Sequence, residues 1–368
     1  MVVNHWDRLE TCIVGRAYRP EFYTFVKDTQ VRRSIEQIAK ETNEDLDNLS
    51  TQLQKYQVEV LRPEVSDDYR RYSVGNKILP APLTPRDYTA VIDNVMFMPE
   101  PNRASKWYQI RGENWQEDLP ESWDALSRLE REDLATMFNI TSYEDLIDYD
   151  FSSLHSIQHW AIASGMKTIY NADIDSAMVL RLGNRLVVGN WYKGDQRKHV
   201  MQQLHELFPN KTIDLVETEG HLDGTFTVPA EGLIVASNDL PDRVYQQLFP
   251  DWEVVRLKKS IPRDFRQQKQ QQSNAWYVPA QLDSPEFGNY VEQYLSNWVG
   301  DIRETTANVN MLMVAPDRAF CAEEDTVLFR ALERYGVVPE LVPFRHYSFW
   351  DSGLHCVTSD VERSNSGT

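Results

Sequence analysis

Cysteine is nearly absent: three occur in 368 residues, widely spaced at positions 12, 321 and 356. That spacing gives neither a disulfide framework nor the paired-cysteine pattern of a zinc cluster, and it suits a reducing compartment. Basic charge is also scarce. Lys and Arg number 38 against 56 Asp and Glu, a formal net charge of −18. A chain this acidic repels a phosphate backbone, so nucleic acid is not the expected partner, whereas a cationic small molecule suits it better. No run of about 18 apolar residues occurs, so no membrane-spanning helix is expected. The opening stretch, "MVVNHWDRLETCIVG", lacks the basic and apolar regions of a signal peptide. With 41% hydrophobic and 26% charged residues, the expectation is a cytoplasmic enzyme with a sizeable core.

What the chain does contain is a repeated pattern. Four stretches predict β-hairpins: "DYTAVIDNVMFMP" (87–99) about Asp93-Asn94, "SAMVLRLGNRLVVGN" (176–190) about Gly183-Asn184, "TFTVPAEGLIVAS" (225–237) about Ala230-Glu231-Gly232, and "VNMLMVAPDRAFCAE" (309–323) about Pro316-Asp317. The last three are each followed by a helical and then a strand pattern. These are "QRKHVMQQLHELF" with "KTIDLVE", "PDRVYQQLF" with "WEVVRL", and "EDTVLFRALERYG" with "VPELVPF". A fifth unit would combine "ETCIVG" (10–15) with the C-terminal segment. Four or five ββαβ units imply an internal repeat that can close into a ring, the alternative being an ordinary α+β domain. The amphipathic helix within 29–56 is expected on the outside, and "RQQKQQQSN" (266–274) reads as an exposed loop without functional meaning.

Polar residues stand at the head of each hairpin: Asp87, Asp175, His221 with Asp223, and Asn308 with Asn310, while Cys356 occupies the last segment. Asp175 and His221 are 46 residues apart, and so are Asn310 and Cys356. In a ring, equivalent positions converge on the axis, which brings these side chains into one pocket. Cys, His and Asp together make an activated nucleophile. A thiol of pKa about 8.5 ionises more readily beside an imidazolium, the imidazole passes a proton to the leaving group, and a carboxylate orients it. Two further aspartates suit a planar cation such as guanidinium. The residues alone leave other readings open: an inert buried cysteine, as expected for Cys12 and Cys321, aspartates that only cap turns, or a metal held by His221, Asp223, His355 and Cys356, without the usual zinc spacing.

"SGLHCVTSDVER" (352–363) resembles the C-terminal signature of the glycine amidinotransferase family, within the guanidino-group-modifying (pentein) superfamily. There a Gly-Gly-Gly-Phe-His-Cys run precedes a Thr and an Asp-Val-Arg-Arg segment. "HLDGTF" (221–226) is similar to the family's His-Ile-Asp-Ala-Thr-Phe, and "IDSAMVLRLG" (174–183) to its Phe-Asp-Ala-Ala-Asp-Phe-Ile-Arg-Ala-Gly. "PRD" (85–87) and "NVNMLMV" (308–314) match in the same order. The resemblance implies a five-bladed α/β-propeller of pseudo-symmetric ββαβ modules, with residues 1–368 as one domain. It implies Cys356 as nucleophile, His221 as general acid/base and Asp175 as their catalytic partner. Asp87 and Asp223 would hold a guanidinium, Asn310 would line the substrate site, and Arg243 in "SNDLPDR", two residues late, would meet a substrate carboxylate.

The reaction so implied moves the amidino group of L-arginine to an acceptor amine, glycine by default. It releases ornithine and guanidinoacetate through an amidino-cysteine, with no cofactor or metal. An arginine deiminase-like hydrolase and a non-catalytic binding propeller are the alternatives, and a homodimer is the assembly left open. Asp351-Ser352 replace two glycines of the signature, Leu354 its aromatic residue, and Ser176 and Met178 an Ala and an Asp. These departures bear on the acceptor rather than on the chemistry.

Overall fold

The computed structural model describes residues 2–74, 77–78, 80–87, 89–98, 120–138, 140–143, 146, 160–161, 163–170, 176–189, 194–218, 220–258, 281–282, 284–295 and 307–364. The four hairpins form where the turn residues predict. Ile92 pairs with Val95 across Asp93-Asn94, and Leu182 with Arg185 across Gly183-Asn184. Asp93 and Gly183 take φ of 53° and 64°, and Gly232 in the third turn takes 87°. That left-handed backbone matches the twist of the flanking strands and favours Gly, Asn and Asp. The fourth hairpin pairs Ala315 with Arg318 across Pro316-Asp317.

Each hairpin adds a third strand, parallel to its second, to make a three-stranded sheet. In blade one, Ala90–Ile92 and Val95–Met98 are joined by Lys167–Tyr170. In blade two, Val179–Leu182 and Arg185–Gly189 lead through helix Gly194–Leu207 to Thr212–Val216. Blade three runs Phe226–Ala230, Leu233–Ala236, helix Asp242–Leu248 and Glu253–Arg256. Blade four runs Leu312–Ala315, Arg318–Cys321, helix Thr326–Arg334 and Val338–Leu341. Blade five draws on both ends of the chain. Its first strand is Thr358–Ser364, its second is Arg8–Val14, antiparallel to the first, and its third is Glu59–Leu61. The ring therefore closes inside a sheet, and the protein is a five-bladed α/β-propeller. A two-stranded ribbon, Ser73–Val74 with Lys77–Ile78, stands outside the repeat. The "RQQKQQQSN" stretch lies outside the described residues.

The long helix Thr29–Lys55 is capped by Asp28, whose Oδ1 accepts from the amides of Gln30 and Val31 at 2.8 and 2.9 Å. Its buried stripe of Val31, Ile35, Ile38, Leu46, Leu49 and Leu53 recurs at helical spacing and packs into the largest core cluster. The same helix anchors the approach to Cys356. Asp45 accepts from the amide and Nε of Arg345 at 2.7 and 2.9 Å, His346 Nε2 lies 2.7 Å from Glu41, and Trp350 donates to Thr42 at 2.8 Å.

At the centre of the ring, fully buried Asp360 binds three arginines. Its Oδ1 accepts from Arg86 Nη1 at 2.8 Å, and its Oδ2 accepts from Arg181 Nη2 and Arg363 Nε, each at 2.7 Å. Burial opposes the Asp360 charge, yet the three guanidiniums overcome it and hold the carboxyl well below the usual range. The arginines then reach outward. Arg86 donates to the carbonyls of His355 and Thr358, Arg181 to Val91, and Arg363 to Asp7 and Met313. Blades one, two, four and five are thereby tied to one carboxylate. Asp360→Asn strands these buried cations, so unfolding in urea should show a loss of about 3–5 kcal/mol; a loss under about 1 kcal/mol would contradict the hub.

Candidate active site

A short helical turn precedes the first strand of each of blades one to four: Pro85–Asp87, Ser176–Met178, Leu222–Thr225 and Ala307–Asn310. Cys356 sits in the turn leading into Thr358–Ser364. These turns pack against one another at one end of the ring, so the hairpin heads converge as the repeat predicts. Asp87, His221, Asp223, Asn310 and Cys356 meet there. Asp175 lies outside the described residues, next to Ser176 in the second turn. Arg243 is exposed on helix Asp242–Leu248, with no hydrogen bond or ion pair to the cluster among the described residues.

Asn310 grips the cysteine on two sides. Its Nδ2 donates to Cys356 Sγ at 3.0 Å, and its Oδ1 accepts from the Cys356 amide at 2.8 Å. The Asn310 carbonyl also accepts from the His355 amide at 3.0 Å. This fit explains Gly353, because a Cβ there would stand 2.6 Å from Asn310 Cβ. Asp351, where the family signature has glycine, has φ of 51°, a left-handed position that aspartate tolerates. Leu354 is buried in the core cluster with Phe349 and Trp350, so this departure from the signature serves packing. Met178 packs against Gly189. Asn308 does a different job from Asn310: it clamps the chain at Ala322 and Glu323 through backbone hydrogen bonds.

On the buried side, Asp223 Oδ2 lies 2.7 Å from His355 Nδ1 and 3.5 Å from Cys356 Sγ. Burial disfavours the Asp223 charge, but the hydrogen bond from His355 and the charge of Arg86 outweigh it and hold the carboxyl below its ordinary range. His355 continues the network through Nε2, 2.9 Å from His5 Nε2. Toward solvent, His221 Nδ1 is 3.8 Å from Asp87 Oδ1, with both side chains about 30% exposed. His221 holds the N-cap position of the short helix Leu222–Thr225 without capping it through its side chain. Burial and the nearby Asp223 carboxylate raise the Asp87 pKa, while His221, Thr84 and Arg86 restrain it. Cys12 and Cys321 are buried in strands, and burial pushes each thiol up to about 12. Among the described residues, no group of three or more His, Cys, Asp or Glu is arranged to hold a metal.

The arrangement places a thiol between an amide donor and a carboxylate, with a partly exposed imidazole–carboxylate pair on the same ring end. Such a set can bind a planar cation and carry nucleophilic and proton-transfer steps on it. Sequence reasoning did not single out Arg86, Arg181, Asp360 and Arg363. A usable signal existed: Arg181 interrupts the apolar run "AMVLRLG", and an arginine fully buried in a strand needs a countercharge. His5 carried no such signal.

The two buried histidines have a consequence for stability. Burial, then the charge of Arg86, lowers His355 from 6.5 to about 4 against the opposing pull of Asp223, and burial likewise lowers His5. The unfolded chain accepts a proton near pH 6.5 that the folded chain refuses. Their stabilising contribution is therefore complete above that pH and is lost as pH falls toward 4. Asp87, raised in the folded state, acts in the opposite sense at the acid end. Urea unfolding at pH 7 and pH 4.5 should differ by about 2 kcal/mol from His355 alone, and His355→Gln should flatten the slope. An unchanged slope in that variant would show that His355 is not buried neutral.

No family model matches the chain. Inosamine-phosphate amidinotransferase 1 of Streptomyces griseus is 22% identical, the match covering 99% of this chain and 96% of that protein. Its solved structure superimposes with a TM-score of 0.59 at 19% identity, over 100% of this chain and 97% of the other. The mitochondrial glycine amidinotransferase of Danio rerio is 22% identical, over 98% of this chain and 82% of its own length. A Microseira wollei amidinotransferase of saxitoxin biosynthesis gives a TM-score of 0.58 at 17% identity, over 100% and 97% of the two chains. Along nearly its whole length, then, the chain is similar in sequence to amidinotransferases, and it shares their five-bladed propeller fold.

Proposed function

We propose that the protein is an amidinotransferase that takes its amidino group from L-arginine and passes it to an acceptor amine, glycine being the default. The observation that carries this reading is the convergence of Cys356, Asn310 and Asp223 on one side with His221 and Asp87 on the other. Asp223 and Asp87 bind the arginine guanidinium, and Asp175 is assigned as the catalytic partner of Cys356 and His221. Cys356, as thiolate, attacks the guanidinium carbon. His221 protonates the departing nitrogen, the carbon–nitrogen bond breaks, and ornithine leaves an amidino group on sulfur. The acceptor amine then gives its proton to His221 and attacks the same carbon, and the carbon–sulfur bond breaks to restore the thiolate. The net exchange is ping-pong and needs neither cofactor nor metal, because the guanidinium is already electrophilic once its geometry is fixed. Asn310 contributes by holding the sulfur. Arg243, exposed on its helix, is our proposed contact for a substrate carboxylate.

Residues 1–368 act as one domain in this proposal, in the cytoplasm. The described residues include no helix long and apolar enough to cross a membrane. Hydrolysis is the competing reading: if ammonia leaves the guanidinium carbon in place of ornithine and water then attacks, the product is citrulline. Arginine supplied with a panel of amines, followed by mass identification of guanidino products, separates the two. Ornithine should form in proportion to one amine and its guanidino derivative, and Cys356→Ala should reduce turnover by at least about 10⁴-fold with the fold intact. Citrulline formed without any amine, or activity surviving in Cys356→Ala, would overturn the proposal.

A further inference from the structure

We propose that His5, ahead of the first strand, is a positioning residue: it donates from Nε2 to His355 and so fixes the tautomer of His355 that donates to Asp223. The direction of this chain follows from elementary donor and acceptor chemistry. Arg181 Nη2 lies 3.3 Å from His5 Nδ1, and a guanidinium only donates. Nδ1 of His5 is therefore the acceptor, and the proton of the neutral ring sits on Nε2. That proton points at His355 Nε2, 2.9 Å away, which must then be the acceptor. The remaining His355 proton stands on Nδ1 and is donated to Asp223 Oδ2 at 2.7 Å. The opposite tautomer of His355 would set two N–H groups against each other at His5 and a lone pair against the carboxylate. Arg181 is itself oriented by Asp360 and by the Val91 carbonyl, so the polarity is set from the centre of the ring.

The backbone builds this placement. Val2 and Asp93 exchange two hydrogen bonds of 2.9 and 3.0 Å, and the His5 amide donates to the Arg181 carbonyl at 3.1 Å. The N-terminal segment is thus laid along blades one and two, with the His5 ring buried against His355. The consequence lies at Asp223. Its Oδ2 is committed to His355, with the thiol 3.5 Å away, while its buried Oδ1 has no hydrogen-bond partner among the described residues. Resting on the function proposed above, Oδ1 is the acceptor kept for the guanidinium. His5 then sets arginine affinity without touching arginine.

Two amide variants separate the halves of the histidine. His5→Asn keeps an acceptor near Arg181 and loses the donor to His355, whereas His5→Gln keeps a donor where Nε2 stood; His5→Leu keeps neither. Arginine KM in His5→Gln should stay within about threefold of the parent, while His5→Asn and His5→Leu raise it about tenfold or more with a smaller change in kcat. Urea midpoints report any general loss of structure in parallel. Nitrogen-15 spectra of His355 should show the Nδ1–H tautomer in the parent and His5→Gln, and a mixture in the other two. Parent-like KM in His5→Asn, KM changes that simply follow stability, or an Nε2–H tautomer in the parent would overturn the proposal. If the parent transfers nothing from arginine, the functional reading falls, and the nitrogen spectra still decide what His5 does to His355.

Discussion

One buried carboxylate holds three guanidinium groups inside the ring, and the site is arranged around that charge. Asp360 is fully buried, as is Arg86, with Arg181 and Arg363 nearly so. Removing such ions from water is costly, and only dense pairing offsets it. The pairing here is shared between blades, so the ring cannot open at one seam without stranding charge. The same arginines do work beyond cohesion. Arg86 holds the carbonyls on either side of Cys356, at His355 and Thr358. Arg181 faces His5 and orders the hydrogen bonds that end at Asp223. Fold and site are therefore one electrostatic object, read outward from Asp360.

Two histidines divide the chemistry by their exposure. His355 is buried, neutral and committed at both ring nitrogens, which makes it a spacer between His5 and Asp223. His221 is partly exposed and faces Asp87 at 3.8 Å, the setting for a group that must gain and lose a proton with substrate present. The histidine beside the cysteine in sequence is thus the structural partner, and the proton carrier of the proposed reaction lies 135 residues upstream of Cys356. The aspartates divide in a similar way. Asp223 is held ionised by its donors, while Asp87 is pushed toward its neutral form and gains most from a cation placed beside it.

Much of this was legible in the chain because hairpins write themselves locally. Asp93-Asn94, Gly183-Asn184 and Glu231-Gly232 fix turns, apolar alternation fixes strands, and repetition of the unit fixes the ring. Once the ring is granted, the hairpin heads must converge, and Asp87, His221, Asp223, Asn310 and Cys356 follow. What stayed hidden depends on contacts between distant segments. No local pattern announces that residue 5 meets residue 355, or that the aspartate of "SDVER" collects arginines from two distant segments, at positions 86 and 181. The glycine run of the signature shows the same limit. Sequence alone treats its three positions alike. The packing separates them, since Gly353 is required by Asn310, Asp351 adopts the left-handed turn that glycine would otherwise supply, and Ser352 is simply buried.

The central claim is that Cys356 carries the amidino group between donor and acceptor. Its most direct test is mass analysis of the intact protein and its peptides after brief exposure to L-arginine without an amine. The peptide holding Cys356 should gain the mass of one amidino group, ornithine should appear in equal amount, and added acceptor amine should discharge the adduct into a guanidino product. An adduct absent from Cys356, or one that decays to urea at the same rate with and without amine, would contradict the account.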